Sequence, residues 1–206
     1  MKCSIRFLSL PLLLALPAAY VLAQDKGKPA QDPKTEAMMA AYKKAGAVTE
    51  NHRILDAFTG EWTTTSKMWM DPAAPAMEST GTASAKPIFD GRFVQAEHRG
   101  IMMGENYVGI ATTGYDNLKQ KYVSTYIENG ATAITFAEGT YDRGTKTFTF
   151  SGQMDDPQGG AKIPFRFTER LVDKDKIAFE WYETREGKEA KGMELTYTRK
   201  GTGSAK

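Results

Sequence analysis

From Gly60 onward, Val, Ile, Thr, Tyr, Phe and Trp alternate with polar residues, and clusters of turn formers interrupt the alternation at regular intervals. Alternation of this kind puts successive side chains on opposite faces of an extended backbone, so each run reads as a half-buried β-strand. The pattern predicts strands at Glu61–Met70, Met77–Lys86, Arg92–Ile101, Asn106–Thr113 and Lys121–Ile127. Five more follow at Thr132–Thr140, Thr145–Gly152, Lys162–Val172, Lys176–Thr184 and Glu189–Arg199. Asp90-Gly91, Met103-Gly104, Asn129-Gly130, Arg143-Gly144 and Glu186-Gly187 supply turn chemistry between them. Connectors this short cannot cross over a sheet, so neighbouring strands should be antiparallel hairpins. About ten strands of this kind predict an all-β fold, an antiparallel up-and-down β-barrel whose closure removes both exposed edges.

The faces are clearest in the last strands. Phe165, Phe167 and Leu171 share one side, with Arg166, Thr168 and Arg170 on the other; Ile177, Phe179 and Trp181 form the next apolar face, then Met193, Leu195, Tyr197 and Arg199. A barrel of this strand number is too wide for side chains to fill, so an internal cavity is expected. Met68 and Met70 share parity with Trp62 and would line the interior with Phe148, Phe150, Phe165, Phe167, Phe179 and Trp181. Thioethers adapt to irregular apolar shapes, which suits a ligand cavity, although a plain core uses them too. In the third strand, alternation sets Phe93, Gln95, Glu97 and Arg99 against Arg92, Val94, Ala96 and His98 and leaves open which set faces inward. In the fifth, Tyr122 and Tyr126 compete with Val123 and Ile127 in the same way.

Ahead of the strands, the pattern becomes helical. Asp32 and Pro33 carry helix-start chemistry, Met38, Tyr42 and Ala45 recur at helical spacing, and Gly46 is a stop. Thr49 caps a second short helix, with Ile54, Leu55 and Phe58 on one side. The domain plan is a signal peptide at 1–23, a flexible spacer at 24–34, a helical segment at 35–58, the barrel at 59–200 and a disordered tail at 201–206. The signal reading rests on Lys2 and Arg6, the apolar run Phe7–Leu16, and small residues at Val21 and Ala23. Broken by Ser9, Pro11 and Pro17, that run is too short to span ~30 Å of hydrocarbon, so no stable membrane anchor is expected after cleavage before Gln24. Export to the periplasm or the exterior follows.

Composition changes the picture once the signal is set aside. The whole chain has 206 residues, with 27 basic against 25 acidic side chains and a net charge of +2. Both surplus cations are Lys2 and Arg6, so the exported chain is neutral and its charge gives no reason to expect nucleic acid. The single cysteine, Cys3, also lies in the signal. The mature chain therefore has no disulfide, thiolate metal site or cysteine nucleophile. Its only imidazoles are His52, in the short helix before the barrel, and His98, in Glu97-His98-Arg99, whose neighbours point to opposite faces and cannot form a triad. Asp155-Asp156 precedes Pro157-Gln158-Gly159-Gly160 and reads as a solvated turn, lacking the alternate oxygen ligands of a calcium loop. No motif implies a cofactor or metal.

Ordered motifs run through most of the chain: His52-Arg53-x-Leu55, Phe58-Thr59-Gly60-Glu61-Trp62, Met70-x-Pro72, Gly114-Tyr115-Asp116-Asn117, Gly139-Thr140-Tyr141-Asp142 and Glu194-x-Thr196-Tyr197-Thr198-Arg199-Lys200. This set resembles the domain-of-unknown-function family 1579 over roughly Ala37 to Lys200, a family that implies no activity. Gly60-Glu61-Trp62 with Arg199 also resembles the signature of calycins, the barrels that include lipocalins. That resemblance implies a structural staple of Gly60, Trp62 and Arg199, in which a late arginine covers the first-strand indole for ~0.5–2 kcal/mol of cation–π attraction.

The leading expectation is an exported calycin-like barrel that binds a small hydrophobic ligand in its interior. Two alternatives stand beside it. One is a barrel enzyme, an isomerase or cyclase or one with the haem-dependent chemistry of related barrels, using His52 or His98; the other is a structural or interaction protein acting as a homodimer.

Overall fold

The computed structural model describes residues 32–71 and 73–201. The expected signal peptide, most of the spacer and nearly all of the tail lie outside the described residues. The chain divides into two compact units, one ending at Met39 and one beginning at Ala40. Helix α1 (Pro33–Ala45) starts at the expected proline, inside the segment assigned to the spacer, and carries no buried residue. Its apolar spacing is thus not used for burial: Met38, Met39 and Tyr42 are all exposed.

Ten strands follow, each within a few residues of its expected place: β1 (Gly60–Met68), β2 (Met77–Ile88), β3 (Phe93–Met102), β4 (Glu105–Asp116), β5 (Lys121–Glu128), β6 (Thr135–Asp142), β7 (Thr147–Met154), β8 (Ile163–Asp173), β9 (Lys176–Arg185) and β10 (Lys188–Arg199). All neighbours pair antiparallel in chain order, and β1 pairs with β10 to close the barrel. Closure gives every strand two partners, so none is left as an edge among the described residues.

One end of the barrel is filled. Helix α2 (Glu50–Ile54) and a 3₁₀ turn (Leu55–Phe58) drop Leu55, fully buried, onto Phe148, Phe150, Tyr122 and Val94. Thr49 is the N-cap of α2, and its backbone N–H donates to Nδ1 of His52 at 3.0 Å. The Tyr122 hydroxyl, buried in the same cluster, donates to the Asn51 carbonyl at 3.0 Å and ties the plug to the wall. Rings continue up the inner surface: Phe150 stacks on Phe167 with centroids 4.7 Å apart, and Phe165 stacks on Trp181 at 4.5 Å.

The first and last strands are locked at the same end. Trp62, 2% exposed, donates from its indole N–H to the Phe58 carbonyl at 2.9 Å. The Arg199 guanidinium lies 4.0 Å from the centre of the indole and donates to the carbonyls of Thr59 (2.6 Å), Ala57 (3.1 Å) and Lys174 (3.0 Å). Gly60 makes room for it: at φ +119° its backbone suits glycine, and a Cβ there would sit 2.6 Å from an Arg199 nitrogen.

Candidate functional site

The opposite end of the barrel holds a cavity of about 880 Å³. It is walled by the ends of strands next to the β1–β2, β3–β4, β5–β6, β7–β8 and β9–β10 connections, away from the plug. The asymmetry has a simple origin in side-chain size. Phenylalanines and tyrosines crowd the plugged half, whereas Thr64, Ala111, Thr113, Ser124 and Ala137 present small side chains to the other half.

The residues expected at a ligand divide between the two halves. Met68, Phe167, Phe179 and Trp181 line the cavity. Phe148 and Phe150 belong instead to the core of the filled half, fully buried, and Phe165, nearer the open end of β8, is packed over Gly152 and against Trp181 at 3% exposure. Strand parity identified an inward face but could not say how far along it the packing would close. Met70 also reaches the cavity, but from the mouth and not as part of a strand. The strand ends at Met68 because Asp71 starts a turn, accepting the Ala73 N–H at 2.8 Å, and this leaves Met70 69% exposed.

Both open parities are resolved by what lies at the cavity floor. In β3 the even-numbered residues face inward, with Val94 buried and His98 on the floor, while Glu97 and Arg99 pair with each other outside. In β5 the inward residues are Tyr122, Ser124 and Tyr126. His98 Nε2 lies 3.1 Å from the Tyr197 hydroxyl. Its Nδ1 is buried and faces the Gly109 backbone, opposite in β4, without a full hydrogen bond. Loss of water drives the imidazole down to about 4, so it is neutral at ordinary pH.

Glu169 completes the floor. It projects inward from β8 between Phe167 and Leu171, with Phe179 of β9 directly across. With Tyr197 and His98 it separates the main cavity from a void of about 50 Å³ above Trp62 and Phe58. Burial alone raises its carboxyl to about 7, and it has no hydrogen-bond or ion-pair partner among the described residues. Burial likewise pushes the Tyr197 phenol upward, helped by the charges of Glu169 and Tyr126.

A second polar group stands on the wall. The Tyr107 and Tyr126 hydroxyls meet, and Tyr107 donates to Glu128 Oε2 at 3.0 Å. Gly109 makes this meeting possible, since any Cβ there would collide with the Tyr126 hydroxyl. Burial raises the carboxyl of Glu128 as well.

His52 plays no part in the cavity. Its Nδ1 accepts from Thr49, its other side meets the Tyr115 backbone, and burial lowers its pKa; it is a helix-capping residue at the filled end. Axial ligation of haem would need an imidazole nitrogen open to the cavity: those of His52 are held in the cap, Nε2 of His98 lies against the Tyr197 hydroxyl, and its Nδ1 is buried. No cluster of three or more metal-ligating side chains occurs among the described residues. Asp155 and Asp156 pair with Lys162 and Arg185.

Glu169 and Tyr197 are the site residues that sequence reasoning passed over. The signal was present: each falls on an otherwise apolar inward face, and a carboxylate in such a run is worth more attention than the hydrophobic residues around it.

The family described as "Protein of unknown function (DUF1579)" matches residues 47–199, from just before α2 to the arginine of the staple. The chain belongs to this family. Among solved structures, DUF1579 architecture in this chain is similar to that of Rv2717c from M. tuberculosis, with a TM-score of 0.56 and 9% identity, covering 75% of this chain and 99% of that one. At that identity the likeness concerns the fold alone. No curated protein matches the chain.

Proposed function

We propose that this DUF1579 protein binds a small, mostly apolar ligand in the open half of its barrel. The observation that carries the reading is the cavity, about 880 Å³ and predominantly apolar, with a few polar groups gathered on its floor and one wall. That size and that mixture are typical of small-molecule sites. The contrast within the molecule adds weight: the same barrel packs its other half with aromatic rings, so the void is not a general failure to fill a wide barrel. Acid–base catalysis has weaker support, because the one cavity imidazole has one nitrogen against Tyr197 and the other buried. The charged start, short apolar run and small residues at Val21 and Ala23 support export, which places binding in the periplasm or outside the cell.

Native mass spectrometry of the purified protein, with solvent extraction of what it carries, tests the reading. The expected result is a bound small molecule, or one-to-one uptake of an added apolar compound. A crystal structure in which side chains fill the open half would overturn it.

A further inference from the structure

The floor of the cavity poses a chemical problem. Glu169 is a half-buried carboxyl that faces the cavity without a protein partner, and an ionised carboxylate in so apolar a setting is costly until a cation meets it. The cations lie near the mouth, and all but the exposed Lys188 are committed elsewhere. Arg185 pairs with Glu183 and Asp156, Lys191 with Glu180 and Glu194, and Arg99 with Glu97. Glu128 on the wall is a second carboxyl, and Tyr107, which donates to it, is neutral. The floor and the wall therefore present two carboxyls, three phenols and a neutral imidazole, with the cations confined to the mouth.

Aromatic surface surrounds the unpartnered group. Phe179 faces Glu169 across the β8–β9 ladder, Phe167 is its neighbour on the same face, Trp181 pairs with Phe167, and Tyr197 rises from β10 near it. A carboxylate beside ring faces is the combination that recognises organic cations: the carboxylate supplies the charge, and the ring quadrupoles supply attraction in a dry site.

We propose that the cavity ligand carries a basic nitrogen on an apolar body, and that its cationic head pairs with Glu169 on the cavity floor beside Phe179 and Tyr197. This rests on the ligand-binding reading above and names the class of molecule that fits it. Empty, the site keeps Glu169 protonated for much of the time, which avoids a bare buried charge. An arriving ammonium makes the ionised form favourable and takes up two unmet needs at once, its own and that of the carboxylate. An anionic head at the floor would meet the two carboxyls, with the one uncommitted cation, Lys188, away at the mouth.

The test is calorimetric titration of the full chain with three probes of equal length, decylammonium, decanoate and decanol, below their micellar concentrations. Decylammonium should bind about tenfold or more tightly than decanoate, a margin that one charge-assisted hydrogen bond supplies. Glu169→Gln, nearly the same size, should remove about tenfold of decylammonium affinity and leave decanol unchanged, so decanol also reports that the variant is folded. Equal or tighter binding of decanoate overturns the proposal, as does a folded Glu169→Gln variant that keeps full affinity for decylammonium. Should the variant not fold, the comparison of the three probes on the wild-type chain decides alone. Decanol binding without an ammonium preference removes only the cationic head, whereas failure of all three probes removes the ligand-binding reading with it.

Discussion

At the cavity floor, His98 and Glu169 shift their protonation in opposite senses, and stability should record both. His98 is held at about 4 in the folded chain against 6.5 when unfolded, so its contribution is complete above pH 6.5 and lost as the pH falls toward 4. Glu169 is held at about 7 against 4.5, so the folded state is favoured most below 4.5 and loses that advantage as the pH rises through 7. Between pH 7 and pH 5 each effect amounts to about 2 kcal/mol, and the two nearly cancel. Glu169→Gln should therefore expose the histidine term and lose about 2 kcal/mol on going from pH 7 to pH 5 in urea denaturation, with lowered His52 adding in the same direction. A variant with the same flat profile as wild type would contradict this placement of the two groups. At the other end of the barrel, Arg199→Ala breaks three hydrogen bonds to carbonyls and the indole contact. The expected cost is about 2–4 kcal/mol by denaturation, and Arg199→Lys should recover little, because an ammonium cannot span the same carbonyls.

Among the elements, α2 with its 3₁₀ turn is the part whose role the fold makes clearest. It closes the barrel through Leu55, so Leu55→Ala should cost about 2–5 kcal/mol in denaturation and leave probe binding unchanged, because the plug lies outside the cavity. The strands were almost wholly legible in the sequence, since alternation and short turns are local signals with local causes. What the sequence did not settle was parity in β3 and β5, where polar and apolar residues occupy both faces; there the register with β2, β4 and β6 chooses. It also could not separate Phe148 and Phe150 from Phe167 and Phe179. All four point inward, and Phe150 even stands directly across from Phe167 in the ladder, so only the packing of the folded barrel divides core from cavity wall. The end of β1 was set beyond its reach by the turn at Asp71, which moved Met70 from an inward strand position to the mouth.

For the whole molecule, the barrel behaves as two halves with different tasks. The plugged half carries the aromatic core and the Trp62–Arg199 staple that joins first strand to last, and the open half carries the void with its few polar groups. The barrel was readable from sequence because it follows from spacing, and the staple through the resemblance carried by Gly60-Glu61-Trp62 and Arg199. The polar floor showed only as a carboxyl and a phenol on apolar faces, and these acquire meaning when β8 and β10 are brought into one cavity with β3. Ligand uptake is measured most directly by a fluorescence titration with the uncharged probe N-phenyl-1-naphthylamine on the wild-type chain and on Leu195→Trp, which places an indole into the cavity from an inward position of β10. Saturable one-to-one binding to the wild type, weakened in a folded Leu195→Trp chain, is the predicted result. No saturable binding to the wild type, or affinity unchanged in the folded variant, would contradict it.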